Sequence, residues 1–202
     1  MKKELDYFQI EGAYGGNQDW FWDPMMRLGG CAAVTACDLC VYLALRFGRR
    51  DLYPFDLAAL NRKDYIRFSR IMKPYLRPRA GGIDKLETYT EGFSAYLRDV
   101  SSGGGGFTFE EFPGFRPAED AAEAVGLQID SGMPAAFLLL HHQAAELSDY
   151  EWHWFLLTGC QRTEDGFLVK AVTYGEYQWL DFGQLWDTGR EPRGGMVLVQ
   201  PV

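Results

Sequence analysis

A cysteine stands directly after a glycine pair and before a long apolar run, in the stretch GGCAAVTACDLCVYLA at residues 29–44. Apolar residues in this run recur at three- and four-residue steps, which predicts a helix over residues 31–47. Cys31 would then open the helix, where unpaired N–H groups and the helix dipole stabilise a thiolate over a thiol. The pattern predicts a nucleophile at Cys31, with packing of a small apolar side chain as the alternative.

A cysteine nucleophile needs a base, and the sequence offers three histidines. His141 and His142 are adjacent at the end of a predicted strand, so they point to opposite faces and suit a surface turn. His153 lies within EWHWFLLTG, a predicted strand in which it shares a face with Phe155 and Leu157. The order of a helix-opening cysteine and then a strand histidine favours His153 as the base over a buried core histidine.

The other cysteines indicate less chemistry. Cys37 and Cys40 fit the buried stripe of the predicted helix. Their C-x-x-C spacing leaves a redox pair as an alternative, although such pairs normally place the first cysteine at the helix start. Cys160 follows a predicted strand and suits packing. Because no second cysteine pair or His-x-x-x-His segment stands at zinc-ligand spacing, we expect no metal and no cofactor.

Composition narrows the class of protein. The 202 residues are 47% hydrophobic and 15% aromatic, which predicts a compact fold. Lys plus Arg is 20 against 28 Asp plus Glu, a net charge of −8 that makes nucleic acid a poor partner. The basic stretch KPYLRPR at 73–79 is the only counter-signal. Without a signal peptide or an apolar run of about 20 residues, and with few cysteines, we expect a reduced, cytoplasmic protein with no membrane contact.

The pattern along the chain predicts a single α+β domain over residues 1–202, with helices packed beside an antiparallel sheet. Helices are predicted at 31–47, from an Asn61 N-cap to Pro74, at 84–99 and at 118–130, which makes residues 1–132 the helical half. Five short apolar or alternating segments make residues 133–202 the β-sheet half: PAAFLLL, EWHWFLLTG, GFLVKAVTYG, YQWL and MVLVQ. The Gly-rich run at 101–106 predicts a flexible loop.

The order of Gln18, then Gly30-Cys31 opening a helix, then His153 on a strand resembles the papain superfamily of cysteine peptidases. The stretches GGNQDW, MRLGGCAAVTACDLCVYLA, IMKPYLRPR, WHWFLLTG and VTYGEYQWLDFGQLW are similar to bacterial double-glycine leader (bacteriocin-processing) peptidases. The resemblance implies a papain-like fold, with the Cys31 helix packed on the sheet that bears His153. It also implies a thiol peptidase or amidohydrolase acting on a peptide or protein. In it, Gln18 and the Cys31 N–H would stabilise the oxyanion.

The chain departs from that family at three places. The residue after the nucleophile is usually glycine and here is Ala32, which is tolerable because the oxyanion hole uses the Cys31 backbone N–H. Gln18 lies thirteen residues before Cys31, more than the family's usual handful, so the segment between them must loop out. Four residues are then expected to contact substrate: Trp20, Trp22, Gly30 and Trp152. The family also carries Asn or Asp on the strand after the histidine strand, and AVTYGEYQW has neither.

Thr173 is the nearest residue that could orient His153 by accepting a hydrogen bond. Glu176, Asp181 or a backbone carbonyl are the alternatives. Because an unoriented base is a poorer one, the missing residue leaves a second function open. In that alternative the chain is a catalytically inactive papain-like fold that binds a peptide or protein.

Overall fold

The computed structural model describes residues 2–101, 106–164 and 166–202. Within them lie the helices α1 (Pro24–Gly29), α2 (Cys31–Arg46), α3 (Arg62–Met72), α4 (Leu86–Val100), α5 (Ala118–Asp130) and α6 (Phe182–Trp186). The strands are β1 (Lys2–Glu4), β2 (Gln9–Ile10), β3 (Ala13–Tyr14), β4 (Phe107–Pro113), β5 (Ala135–Leu139), β6 (His153–Arg162), β7 (Phe167–Thr173), β8 (Glu176–Asp181) and β9 (Gly194–Pro201). Of the predicted Gly-rich loop, residues 102–105 lie outside the described residues.

One antiparallel sheet carries most of the strands, in the order β4-β9-β5-β6-β7-β8. β6 lies at its centre, paired with β5 through its first half and with β7 along its second half. β1 joins the same edge of β6 beyond the end of β5. The predicted α+β class with helices and an antiparallel sheet is therefore confirmed, and β6 is the strand that holds His153 in place.

The predicted helices are confirmed to within a few residues, and α5 has the predicted bounds. Asn61 is the N-cap of α3, where its side chain accepts a hydrogen bond from the Asp64 N–H at 2.9 Å. The division into a helical and a β-sheet half is wrong in part, because β1 to β4 lie before residue 132. β4 is an edge strand that was missed, because the alternation of Phe107 and Phe109 with exposed residues is short and is broken by the pair Glu110-Glu111.

α2 packs against β6 and α3, and most of its residues are buried. Cys37 and Cys40 have no exposed surface and are core residues with free thiols. Trp154, the neighbour of His153, stacks on Tyr89 of α4 with ring centroids 4.3 Å apart. Its indole N–H also donates to the Ile83 carbonyl at 2.7 Å. The start of β6 is thereby fixed to the helical layer that carries Cys31.

In the part of the chain that the structure describes, no helix combines the length and apolar character needed to cross a membrane.

Candidate active site

The structure brings the four predicted catalytic residues to the wall of one narrow cavity. Gln18 comes from a short 3-10 turn before α1, Cys31 from the first position of α2, His153 from the start of β6 and Thr173 from the end of β7. The space in this cavity that the centre of a water molecule can occupy is only about 10 Å³, so the cavity holds one water molecule at most. Residues far apart in sequence thus meet at a closed site.

Two glycines determine where Cys31 sits. Gly30 separates α1 from α2, and a Cβ on it would come within 2.2 Å of the Met26 carbonyl oxygen. A Cβ on Gly29 would come within 2.1 Å of the Arg79 carbonyl oxygen. Only glycine fits such close backbone approaches. Gly30 therefore positions Cys31 from inside the fold. It was predicted to contact substrate, but it does not line the cavity.

The electrostatics of Cys31 differ from the prediction. Backbone hydrogen bonds from Trp154, Ala32 and Cys31 itself lower the pKa of the thiol. Burial acts in the opposite direction and is the larger effect, so the pKa is raised above its usual value. The helix start therefore favours the thiolate as expected, but the expected low pKa of the thiol is wrong, because burial outweighs that effect.

His153 is buried, and its Nε2 lies 2.6 Å from the hydroxyl oxygen of Thr173. The predicted hydrogen bond between these side chains is present. Burial lowers the pKa of the imidazole to about 4, so His153 is neutral at physiological pH. If Nε2–H donates to Thr173, Nδ1 carries the lone pair that a base needs. Among the described residues no hydrogen bond joins Cys31 to His153, so the two are neutral side chains of one cavity that are not bonded to each other.

Tyr174 covers His153 and was missed by the sequence analysis. Its ring stacks on the imidazole with centroids 4.7 Å apart and planes 5° apart. Its hydroxyl lies 3.4 Å from Nδ1. Because the rings are nearly parallel, that hydroxyl is outside the imidazole plane in which the Nδ1 lone pair lies, and the contact is a stack with at most a weak hydrogen bond. Burial raises the pKa of the Tyr174 hydroxyl to about 12, and the nearby Cys31 adds to this shift.

The other predicted partners of His153 lie elsewhere. Glu176 is exposed at the first position of β8. Asp181 is the N-cap of α6, where its carboxylate accepts a hydrogen bond from the Gln184 N–H at 2.7 Å. Thr173 is therefore the candidate of the three that contacts the imidazole.

Gln18 is buried, and its side-chain amide donates to the Arg27 carbonyl at 3.1 Å. That bond uses one amide hydrogen and leaves the other for a ligand. The chain before Gln18 is fixed by Asp38 of α2, whose two carboxylate oxygens accept from the Gly16 N–H at 3.0 and 3.1 Å. Gln18 is therefore attached to α1 through its own side chain, and the chain just before it is attached to α2 through Gly16.

Asp38 is the second residue that the sequence analysis missed. It is buried and accepts hydrogen bonds from the hydroxyls of Tyr7 at 2.9 Å and Tyr65 at 2.6 Å. Burial nevertheless dominates and raises the pKa of the carboxyl to about 6. A signal for it exists, since Asp38 is an acid within an apolar helix, seven residues and two turns after Cys31.

The predicted substrate-binding tryptophans do not line the cavity. Trp20 is half-buried, with its ring edge-on to Tyr65. Trp22 is 89% exposed on the surface. Trp152 is 41% exposed and packs edge-on against His141. Half of the segment between Gln18 and Cys31 forms α1, so the segment is not the expected long loop.

His142 does not belong to a surface turn, contrary to prediction. It is buried, its Nδ1 accepts from the Ala144 N–H at 2.8 Å, and its Nε2 lies 2.9 Å from the Gln184 carbonyl. These bonds hold the loop after β5 and assign His142 a structural role. Across residues 2–101, 106–164 and 166–202, no group of three or more His, Cys, Asp and Glu side chains could hold a metal ion.

Comparisons with protein-family models, with curated proteins and with solved structures gave no match to this chain. The resemblance to papain-like peptidases therefore stays an expectation from the residues quoted above. The function proposed next depends on the geometry of the cavity and on the chemistry of its side chains.

Proposed function

We propose that this protein is a thiol hydrolase that cleaves a peptide or amide bond through Cys31 and His153. The observation that supports the proposal is the convergence of Gln18, Cys31, His153 and Thr173 on one cavity. Acyl transfer needs an oxyanion donor, a nucleophile, a base and a residue that orients the base, and these four residues supply them in that order. A core selected for packing alone has little use for these polar groups at one point.

In the proposed reaction, the Cys31 sulfur attacks the carbonyl carbon as His153 Nδ1 takes the thiol proton. The C–S bond forms and the carbonyl oxygen becomes an oxyanion. The free amide hydrogen of Gln18 and the Cys31 backbone N–H are the donors for it, each worth about 3–4 kcal/mol in comparable sites. Because the thiol starts neutral, proton transfer accompanies attack and does not precede it.

The tetrahedral intermediate then collapses. The C–N bond breaks, and the imidazolium gives its proton to the leaving amine. Water attacks the acyl-cysteine with His153 again acting as base, which releases the carboxylate and regenerates the thiol. Thr173 holds Nε2 throughout, so that Nδ1 faces the reacting atoms and the imidazolium keeps a hydrogen-bond acceptor.

One set of observations favours a second function, an inactive fold that binds a peptide or protein. Cys31 and His153 are both neutral, both buried and not hydrogen-bonded to each other. A binding module has no use for turnover, whereas a hydrolase must open this cavity before it can act.

The two functions differ in whether an acyl group is transferred to Cys31. The test is to incubate the protein with an activated ester and with a peptide library, then map acylated cysteines and new peptide termini by mass spectrometry. Cys31→Ser is the inactive variant and Cys160→Ser the matched control. The proposal requires acylation at Cys31 and cleavage that is lost only in Cys31→Ser. Peptide binding without acylation or cleavage would establish the binding module instead.

We expect Thr173→Val to lower the turnover number about tenfold or more while leaving the Michaelis constant within about twofold, because the variant keeps the shape but loses the acceptor for Nε2. Steady-state kinetics on the ester measure both constants. Thr173→Ser restores the hydroxyl and should recover most of the rate. An unchanged turnover number in Thr173→Val would remove Thr173 from the machinery.

A further inference from the structure

An open pocket adjoins the closed cavity on the other side of Tyr174. The volume that the centre of a water molecule can occupy is about 310 Å³ in this pocket and about 10 Å³ in the Cys31 cavity. That volume is in the range of small-ligand sites. Thr173 and Tyr174 line both spaces. The Tyr174 ring, stacked on His153, is thus part of the wall between the surface and the candidate nucleophile.

The backbone holds Tyr174 in an unusual conformation. Tyr174 and Gly175 form the two-residue connection between β7 and β8, since Thr173 pairs with Glu176. Both have positive φ, 53° and 76°. Such tight hairpins suit glycine or asparagine, and a bulky residue at positive φ is an outlier that commonly marks a functional site. In this strained backbone conformation, the ring of Tyr174 lies over the imidazole of His153.

Charge and ring chemistry indicate what the pocket would accept. Its lining includes the carboxylates of Asp149 and Glu176 and the rings of Tyr150, Tyr174 and Tyr177. Neither carboxylate takes part in an ion pair or a hydrogen bond with another side chain among the described residues. Carboxylates attract a cation, and tyrosine faces bind one through their quadrupole. One face of the Tyr177 ring already carries the Lys170 ammonium, 3.9 Å from the ring centroid. An added ammonium or guanidinium group would meet the two carboxylates and the tyrosine faces that remain.

We propose that this pocket, lined by Asp149, Glu176 and the three tyrosines, binds a basic side chain of the polypeptide substrate, and that Tyr174 moves aside to connect it with Cys31. The inference rests on the proposed function, because it names the substrate class of the same site. It assigns to Tyr174 control of access to the thiol, and to the carboxylates the preference for lysine or arginine near the bond that is cut.

Charged thiol reagents test this without any assay of hydrolysis. The modification rate of Cys31 is measured by peptide mapping with two methanethiosulfonates of similar size, one carrying trimethylammonium and the other sulfonate. We expect the cationic reagent to react about tenfold or more faster in the wild type. Asp149→Asn/Glu176→Gln should remove most of this ratio. The control Glu119→Gln/Glu123→Gln makes the same change in net charge on exposed positions of α5 and should leave it unchanged.

A second arm tests the wall. Tyr174→Gly removes the ring and suits the positive φ, so the hairpin should keep its shape. We expect it to speed modification of Cys31 by both reagents about tenfold or more, whereas Tyr174→Trp should not. The proposal is overturned if Cys31 shows no cationic preference, if the preference survives in the Asp149/Glu176 variant, or if Tyr174→Gly reacts no faster. If the modification rates of Cys31 are as expected but the wild type shows no hydrolysis, the proposed function is rejected and the inference about the pocket and Tyr174 stands.

Discussion

His153→Ala should lower the rate of Cys31-dependent hydrolysis about 10²–10⁴-fold, the usual contribution of a positioned base. The thiol of Cys31 is neutral, so a base must take its proton during attack. The carboxylate of Asp38 also lines the cavity, but its oxygens already accept hydrogen bonds from Tyr7, Tyr65 and Gly16, which leaves His153 as the base. The measurement is kcat/KM on the activated ester that acylates Cys31. His141→Ala is the matched control, because His141 is half-buried and contacts Trp152 at the surface.

The pH profile gives the same prediction a second readout. Burial lowers the pKa of His153 to about 4, so the imidazole is protonated and inactive as a base only below that pH. The acid limb of kcat/KM reports the base of the free enzyme and should lie near pH 4, well below the ordinary histidine value of about 6.5. An acid limb near the ordinary value would mean that the pKa of His153 is not lowered in the free enzyme, and full activity in His153→Ala would contradict its role as the base.

Local patterns were enough to find two of the polar residues that line the cavity, Cys31 and His153. The glycine pair before an apolar run predicted the position of Cys31 at the start of α2, and strand alternation placed His153 on β6. These two inferences use residues close together in sequence, and the periodicities of helices and strands make them possible. Gln18 and Thr173 were instead expected from the resemblance to papain-like peptidases, and Thr173 does contact His153.

What could not be predicted depends on burial and on contacts between distant segments. The helix start lowers the pKa of the Cys31 thiol as expected, but desolvation, which is set by the whole fold, raises it by more. Tyr174 lies over His153 only because the two strands meet side by side in the sheet. Trp20 was expected to line the cleft, but its ring packs edge-on against Tyr65. A periodic pattern states which face is apolar, but it does not state which partner covers that face.

Asp38→Ala should have the largest effect on stability, about 4 kcal/mol lost from the free energy of unfolding. It would leave the hydroxyls of Tyr7 and Tyr65 and the N–H of Gly16 buried without their acceptor. Chemical denaturation at neutral pH measures the loss. Asp99→Ala is a suitable control, since Asp99 also accepts a hydrogen bond from a tyrosine, Tyr75, but at the exposed surface.

Asp38→Asn isolates the charge. The pKa of Asp38 is raised to about 6 in the folded protein, against about 3.9 in an unfolded chain. The folded state therefore binds the proton more tightly, so the stability from this group is present below about pH 3.9 and is lost as the pH rises to about 6. That loss, on the order of 3 kcal/mol from the shift in pKa, should appear as a fall in the wild-type free energy of unfolding relative to Asp38→Asn between pH 4 and pH 7. Parallel pH profiles for the two proteins would mean that Asp38 keeps an ordinary pKa, and that its three donors offset the cost of burying the charge.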